Sequence, residues 1–188
     1  MPFQIIRNDI TRMKTDAIVS AANTALVPGG GVCGAIFSAA GHDELEKECR
    51  EIGHCDTGKA VITNGYNLAA KYIIHTPGPI YRSELNDNEE LLYSCYKSCL
   101  ELAKCHKLTS ISFPLISSGI YGYPAKDALN VATKAISDFL NENEMEIYLV
   151  VYNKDVFKVS VELFDDVKEY IDSRLVVEPD IPMKRLIQ

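Results

Sequence analysis

Short apolar runs alternate with longer segments of helical spacing along most of this chain, and this alternation constrains the fold more than any other feature. The strand-like runs are 3–7, 16–22, 60–66, 71–76, 110–117 and 146–152. The segments with helical spacing are 31–41, 42–52, 87–106, 124–143 and 155–173. Strands that alternate with helices pair into a largely parallel sheet that helices cover on both faces. We therefore predict an α/β fold whose sheet lies between two helical layers.

Length and composition indicate one globular domain. The chain has 188 residues, of which 47% are hydrophobic and 24% charged, so it is long enough to bury one large core. The last stretch contains two prolines and does not continue the alternation. We predict a single domain over residues 1–175, followed by a C-terminal tail over residues 176–188.

Charge and hydropathy limit the classes of partner. The net charge of −7 argues against a general nucleic-acid or membrane-surface binder, because such proteins are normally basic. No stretch approaches the roughly 18 apolar residues of a membrane span, and the N-terminus lacks the apolar core of a signal peptide. We expect a cytoplasmic protein with neither nucleic acid nor membrane as its main partner.

The six cysteines are expected to be reduced thiols in that compartment. Cys95 and Cys99 lie four residues apart within a helical pattern, which predicts that they share a buried helix face. A zinc site built from Cys49, His54 and Cys55 is an alternative for the others. The chain has no CxxC pair, however, so we favour structural cysteines and predict no metal.

Two glycine-rich loops lie where an α/β sheet usually binds ligands, between the end of a strand and the start of a helix. The first is PGGGVCG, residues 28–34, and the second is SSGIYG, residues 117–122. Glycine-rich backbone that enters a helix presents unpaired N–H groups at the positive end of the helix dipole, which suits an anion. Two such loops could bind a diphosphate from both sides, although each could also be only a tight turn.

Neither loop has the pattern of the common nucleotide-binding motifs. The first lacks the Gly-Lys-Ser/Thr of a P-loop, so no lysine reaches a γ-phosphate and no hydroxyl binds magnesium. Its spacing also differs from GxGxxG, and no acidic residue closes a following strand. The sequence therefore disfavours ATP hydrolysis and dinucleotide redox chemistry.

Three further polar or aromatic residues end strands at the expected ligand edge. Asp9 could accept a hydrogen bond from an adenine amino group, or it could make a local turn bond to Thr11. Asn23 could bind a sugar hydroxyl or a water, or it could be an ordinary turn residue. Tyr152 could stack on a base, or it could be a core aromatic.

Six segments resemble the macrodomain family of ADP-ribose-binding domains, in particular its MacroD-like branch. They occur in the order of the family and extend over nearly the whole chain to about Tyr152: NDIT (8–11), AANTAL (21–26), GGGVCGAI (29–36), CDTGKAVITNGYNL (55–68), KYIIHTPGP (71–79) and SISFPLISSGIYGYP (110–124). The resemblance implies a three-layer α/β/α sandwich with a mixed, mostly parallel central sheet of six or seven strands.

The resemblance also implies roles for individual residues. Asp9 and Ile10 would contact the adenine and Tyr152 would flank it, whereas residues 29–32 and 117–121 would surround the diphosphate. Asn23 and Tyr121 would frame the distal ribose. The implied catalytic residues are Asn23, Tyr121 and Cys33. The implied ADP-ribose-binding residues are Asp9, Ile10, Ala22, Asn23, Gly30, Gly31, Val32, Cys33, Gly34, Ser117, Ser118, Gly119, Ile120, Tyr121, Tyr152 and Asn153.

Three positions depart from the pattern of MacroD-type hydrolases. Cys33 replaces an aspartate that helps to position or activate water, Phe37 replaces a histidine, and Ser20 replaces an asparagine. A neutral thiol, with a reference pKa of about 8.5, does not replace a carboxylate as general base. Resembling viral macrodomains carry a small neutral residue at this place and still cleave ADP-ribosyl esters, with the substrate's own phosphate activating the water.

These residues support three hypotheses about function. We favour an enzyme that hydrolyses ADP-ribosyl esters, either mono-ADP-ribosylated Asp or Glu side chains or O-acetyl-ADP-ribose, by attack of a water oriented by Asn23 and the glycine loop. The alternative is a non-catalytic reader of ADP-ribose. In a third hypothesis Cys33 is a thiolate nucleophile or redox sensor, with a pKa lowered by a helix N-terminus and with His42 as base. We predict no cofactor, a monomer, and ADP-ribose or an ADP-ribosylated protein or metabolite as partner.

Overall fold

The computed structural model describes residues 2–165 and 176–177. Its strands are β1 (Phe3–Arg7), β2 (Ala17–Ala22), β3 (Val61–Asn64), β4 (Tyr72–Pro77), β5 (Ser110–Pro114), β6 (Glu146–Val151) and β7 (Val176–Val177). Its α-helices are α1 (Gly31–Ala40), α2 (His42–Ile52), α3 (Asn88–Cys105), α4 (Ala125–Leu140) and α5 (Lys154–Asp165), and a short 3-10 helix (Ile10–Arg12) follows β1.

The described strands form one sheet in the order β3-β4-β2-β5-β6-β1-β7. Every neighbouring pair is parallel except β3 and β4, which are antiparallel. The parallel core follows from the helices that connect its strands, because a parallel pair needs a crossover connection. The prediction of a mixed, mostly parallel sheet is therefore confirmed.

Helices cover both faces of this sheet, and consecutive strand residues point to opposite faces. Val19 and Ile74 belong to an apolar cluster with α3, α4 and the start of α5. Their neighbours Ile18 and Ile73 belong to a second cluster with α1 and α2. Interior strands buried on both faces need nearly continuous apolar sequence, which β2 and β4 have. The three-layer α/β/α sandwich is confirmed.

The buried face of α3 carries two of the cysteines, as the helical spacing predicted. Cys95 and Cys99 are fully buried there together with Leu92 and Tyr96. All six cysteines are free thiols. Within residues 2–165 and 176–177, no group of three or more His, Cys, Asp or Glu side chains is arranged to hold a metal ion. None of the described helices is both long enough and apolar enough to span a bilayer.

The structure differs from the sequence-based boundaries by one to three residues at several element ends. β3 ends at Asn64 rather than at residue 66, and α4 ends at Leu140 rather than at residue 143. β5 ends at Pro114, three residues early, because the chain turns there into a loop in which Ser117 has a positive φ of 65°. At the C-terminus, the expected helical residues 166–173 and most of the expected tail lie outside the described residues. The exception is Val176–Val177 at the start of the expected tail, which pairs with β1 as β7.

Candidate functional site

The sheet topology brings the predicted site segments to one edge. β2, β5, β6 and β1 are successive parallel neighbours, so their carboxyl ends meet there. The predicted residues lie at the ends of these strands: Asp9 and Ile10 after β1, Ala22 as the last residue of β2, Asn23 and residues 30–34 after β2, residues 117–121 after β5, and Tyr152 and Asn153 after β6. The candidate site at this edge is thus assembled from segments far apart in sequence.

The loop after β2 is shaped by the side chain of Asn23. Its Nδ2 donates to the carbonyl oxygen of Val27 at 2.8 Å, and its Oδ1 accepts from the Val27 N–H at 3.1 Å. Between them, Leu26 is buried and has a positive φ of 57°, which turns the chain back. The sequence suggested a sugar or water ligand for Asn23. In this structure both ends of its amide bind the loop instead.

The glycines that follow lead into an uncapped helix. Gly30 precedes α1 and no side chain caps the helix, so the N–H groups of its first turn have no partner within the helix. A Cβ on Gly34 would lie 2.3 Å from the carbonyl oxygen of Gly29, so this position requires glycine. At Gly29 and Gly30 a Cβ would meet no described atom closer than 3.6 Å. Those distances are ordinary contacts, whereas a Cβ on Gly31, the first residue of α1, would meet no described atom within 4 Å, so the open space lies at Gly31.

The loop after β5 faces the glycine loop. It is a compact turn in which the Tyr123 N–H donates to the Ser117 carbonyl at 2.9 Å and the Ser118 hydroxyl donates to the Leu115 carbonyl at 2.8 Å. The side chain of Ile120 is 88% exposed, and its Cδ1 would lie 3.6 Å from a Cβ on Gly30. The two loops therefore approach each other at the edge of the sheet.

A third loop, which follows β4, packs against the loop after β5. The sequence predicted no role for this third loop. The Tyr81 N–H donates to the Tyr121 carbonyl at 2.9 Å. Gly78 packs against Ser117, since a Cβ on Gly78 would lie 2.2 Å from the Ser117 Oγ. The Ser117 hydroxyl is buried and has no hydrogen-bond partner in the described part of the chain. The only sequence signal for this contact was the segment KYIIHTPGP, which contains Gly78.

The opposite end of the edge carries the residues expected near an adenine. Asp9 Oδ1 accepts from the Thr11 N–H at 2.9 Å and from the Thr11 hydroxyl at 2.7 Å, which is the local turn bond that the sequence left open. Tyr152 is 36% exposed, so it is not a core aromatic. The side-chain oxygen of Asn153 accepts from the Asp155 N–H at 2.8 Å, so Asn153 caps α5.

Cys33 is a buried neutral thiol, which contradicts the thiolate hypothesis. It is 5% exposed, and its Sγ lies 3.8 Å from the Val27 carbonyl oxygen. Burial raises the pKa of the thiol, and the opposing interactions with Gly29 and Ser20 are smaller. Burial therefore outweighs any lowering of this pKa by the helix N-terminus, and Cys33 is a small buried side chain.

The proposed base of that hypothesis is also engaged elsewhere. The ring of His42 packs against Phe37 at 5.6 Å between centroids, and its Nδ1 lies 3.3 Å from a carboxylate oxygen of Glu46. Among the described residues, no hydrogen bond joins His42 to Cys33. The pair does not form a nucleophile and base in this structure.

Comparisons with known proteins agree with the fold. The chain is 44% identical over 166 residues to an O-acetyl-ADP-ribose deacetylase of Salmonella gallinarum, covering 85% of this chain and 92% of that protein. It is 50% identical over 147 residues to the ADP-ribose glycohydrolase MACROD2 of Xenopus laevis, covering 78% of this chain but only 35% of that longer protein.

A solved structure and a family model complete the comparison. The structure of an Oceanobacillus iheyensis macrodomain mutant with ADPR matches with a TM-score of 0.83 and 42% identity, covering 88% of this chain and 92% of that one. The family model described as Macro domain matches residues 19–132, which include both glycine-rich loops. Sequence, topology and these matches together lead to one conclusion: the chain belongs to the Macro domain family.

Proposed function

We propose that this protein binds ADP-ribose at the carboxyl edge of its sheet and hydrolyses ADP-ribosyl esters there. The observation that carries the proposal is the uncapped N-terminus of α1, where a Cβ on Gly31 would meet no described atom within 4 Å, facing the loop at residues 117–121. The names of the deacetylase and glycohydrolase relatives support the same activity. The substrates would be mono-ADP-ribosylated Asp or Glu side chains, or O-acetyl-ADP-ribose.

Binding of the diphosphate would rest on backbone groups. The free N–H groups in the first turn of α1 and the positive end of its dipole favour an anion, and residues 117–121 would contact the diphosphate from the other side. This arrangement suits a protein with a net charge of −7, because local dipoles rather than the overall field attract the ligand. The adenine would lie beside Ile10 and Tyr152, with Asp9 within reach of its amino group.

Hydrolysis would proceed without a general base from the protein. Water attacks the ester, the bond between the acyl group and the ribose oxygen breaks, and the products are a carboxylic acid and ADP-ribose. Because Cys33 is neutral, the proton of the water would pass to a phosphate oxygen of the substrate and from there to the ribose oxygen as its bond to the acyl group breaks. The loop held by Asn23, together with Tyr121, would fix the distal ribose so that water and ester are aligned. Such positioning contributes several kcal/mol to catalysis, roughly 7 or more in favourable cases.

A non-catalytic ADP-ribose reader is the second candidate. Two observations favour it: the amide of Asn23 is bound to Val27, and Cys33 presents no carboxylate to a water. A reader would use the same loops and the same adenine contacts. The two candidates therefore differ only in turnover.

The test separates binding from turnover. Calorimetry with ADP-ribose measures binding, and a peptide with a glutamate-linked ADP-ribose measures hydrolysis against a heat-inactivated control. Binding with release supports the enzyme, and binding without release, with activity gained in Cys33→Asp, supports the reader. A protein that binds no ADP-ribose would rule out both. Arginine- and serine-linked substrates, run in parallel, define the linkage.

We also propose that the protein acts on an ADP-ribosylated protein or metabolite as a monomer in the cytoplasm. The six free thiols support a reducing compartment. Size-exclusion chromatography coupled to light scattering tests the monomer, and a fluorescent fusion in the source cell tests the location.

A further inference from the structure

A cleft of about 480 Å³ lies next to the loop after β5. Its lining residues have no role in the hydrolysis proposed above. It is bounded by the segment after β4, by the first turn of α3 and by the first three turns of α4. Its volume is within the usual range of small-ligand pockets. The residues that matter for its chemistry are Tyr81, Tyr123, Glu89, Asp127 and Lys134.

Two tyrosines give the cleft an aromatic surface. The rings of Tyr81 and Tyr123 pack at 5.0 Å between centroids with an interplanar angle of 59°. Tyr123 is only 5% exposed and lines the cleft, yet its hydroxyl makes no hydrogen bond in the described part of the chain. The hydroxyl oxygen itself is not enclosed by the protein, so it is accessible from the cleft to a ligand group.

The charge of the cleft is negative. Glu89 and Asp127 line it from the first turns of α3 and α4. Burial, and then the charges of these two carboxylates, raise the pKa of Tyr123. Lys134 is the lining cation, but its Nζ lies 2.9 Å from a carboxylate oxygen of Asp138 and 5.5 Å from the centre of the Tyr93 ring. The positive charge of Lys134 is thus already compensated from outside the cleft.

The cleft is joined to the candidate ADP-ribose site through the backbone. The Tyr81 N–H donates to the Tyr121 carbonyl at 2.9 Å, and the Tyr123 N–H donates to the Ser117 carbonyl at 2.9 Å. The same loop therefore borders both the expected position of the distal ribose and the cleft. A protein attached to that ribose would therefore have its neighbouring residues close to the loop that also borders the cleft.

We propose that this cleft binds a lysine or arginine side chain of the ADP-ribosylated protein, close in sequence to the modified residue. The inference rests on the proposed function of the neighbouring site and specifies its substrate class. Aromatic faces together with carboxylates attract a cation, whereas a neutral side chain gains no comparable electrostatic attraction. The cleft would thus select basic sequence around the modification.

The experiment compares two peptides with a single glutamate-linked ADP-ribose, identical except that two flanking residues are arginine in one and glutamine in the other. Affinity is measured by calorimetry and turnover by release of ADP-ribose, at low and at high salt. The wild type is expected to favour the arginine peptide by about fivefold to tenfold at low salt and less at high salt. The variant Glu89→Gln/Asp127→Asn is expected to lose this preference.

The control variant is Glu90→Gln, which removes a neighbouring carboxylate of α3 that does not line the cleft and should keep the preference. Free ADP-ribose must bind all variants alike, and thermal unfolding checks that they fold. Equal affinity of the wild type for the two peptides, with intact ADP-ribose binding, overturns the cleft proposal alone. Loss of ADP-ribose binding by the wild type overturns the proposed function and this inference together.

Discussion

The carbonyl oxygen of Val27 is the point on which two predicted catalytic residues converge. The Asn23 amide donates to it at 2.8 Å, and the Cys33 Sγ lies 3.8 Å from it. Both side chains therefore hold the glycine loop against the start of α1. At the scale of single residues, the site depends on loop shape more than on any reactive side chain.

Removing the Asn23 amide tests this role. Asn23→Ala loses two hydrogen bonds to Val27, each contributing on the order of 1 kcal/mol, so the loop should relax and the affinity for ADP-ribose should fall about tenfold. Calorimetry measures the change. The control is Thr24→Ala, an exposed neighbour whose side chain makes no hydrogen bond in the described part of the chain. Equal affinities for the two variants would show that the amide does not shape the site.

A second substitution tests whether the Cys33 thiol is chemically active. Burial raises the pKa of Cys33, so the thiol stays neutral at and above pH 7 and supplies no base. Turnover by Cys33→Ala should remain within about threefold of wild type, with the same shape of pH profile from about pH 6 to 8.5. An alkaline limb present in wild type and absent from the variant would instead identify a working thiolate.

At the scale of elements, sequence periodicity predicted which segments form strands and which form helices, but it did not predict the conformation of the loops. The apolar runs predicted β2 and β4 because both faces of these strands are buried. The turns were not predictable, since they depend on positive φ angles at Leu26 and Ser117, residue types that rarely adopt them. The cleft at Tyr123 was equally hidden, because it arises from the packing of α3 and α4 against a loop after β4.

The first turn of α1 gives a test at the scale of elements. A Cβ on Gly34 would lie 2.3 Å from the Gly29 carbonyl oxygen, whereas a Cβ on Gly119 would meet no described atom within 4 Å. Gly34→Ala should destabilise the fold by roughly 1–3 kcal/mol, because backbone must move. Gly119→Ala should leave the free energy of unfolding within about 0.5 kcal/mol.

Denaturant unfolding measures both stabilities, and ADP-ribose titration adds a second distinction. Gly119→Ala should fold normally and still bind ADP-ribose more weakly, because the new methyl group would project into the space in which the diphosphate is expected. A Gly119→Ala variant with wild-type affinity would show that the loop after β5 does not contact the ligand closely.

The whole molecule should lose stability in acid through His75. This residue of β4 is almost fully buried, and its Nε2 lies 2.8 Å from the Thr63 hydroxyl oxygen of β3. Burial lowers its pKa from 6.5 to about 4. Below pH 6.5 the unfolded chain takes up a proton that the folded protein resists, so stability is complete above that pH and falls as the pH approaches 4.

Between pH 6.5 and 4, the free energy of unfolding is expected to fall by roughly 1.4 kcal/mol for each pH unit. Urea unfolding at several pH values measures it, with His75→Gln as the comparison. The glutamine keeps a polar group opposite Thr63 but does not titrate. The variant should therefore take up about one proton fewer on unfolding, and its free energy of unfolding should depend less steeply on pH between pH 6 and 4.5. Identical slopes would assign the acid sensitivity to other groups.

The position of β1 has a consequence for how the chain is made. Among the described strands this one leaves the ribosome first, whereas its partners in the sheet, β6 and β7, are the last two of them to be synthesised. A nascent chain that stops before residue 146 therefore carries an N-terminal strand with no neighbour, beside the segment expected to receive adenine. The candidate nucleotide site is complete only after β6 has been synthesised and has paired with β1. ADP-ribose added during synthesis would therefore stabilise only chains that have reached that length.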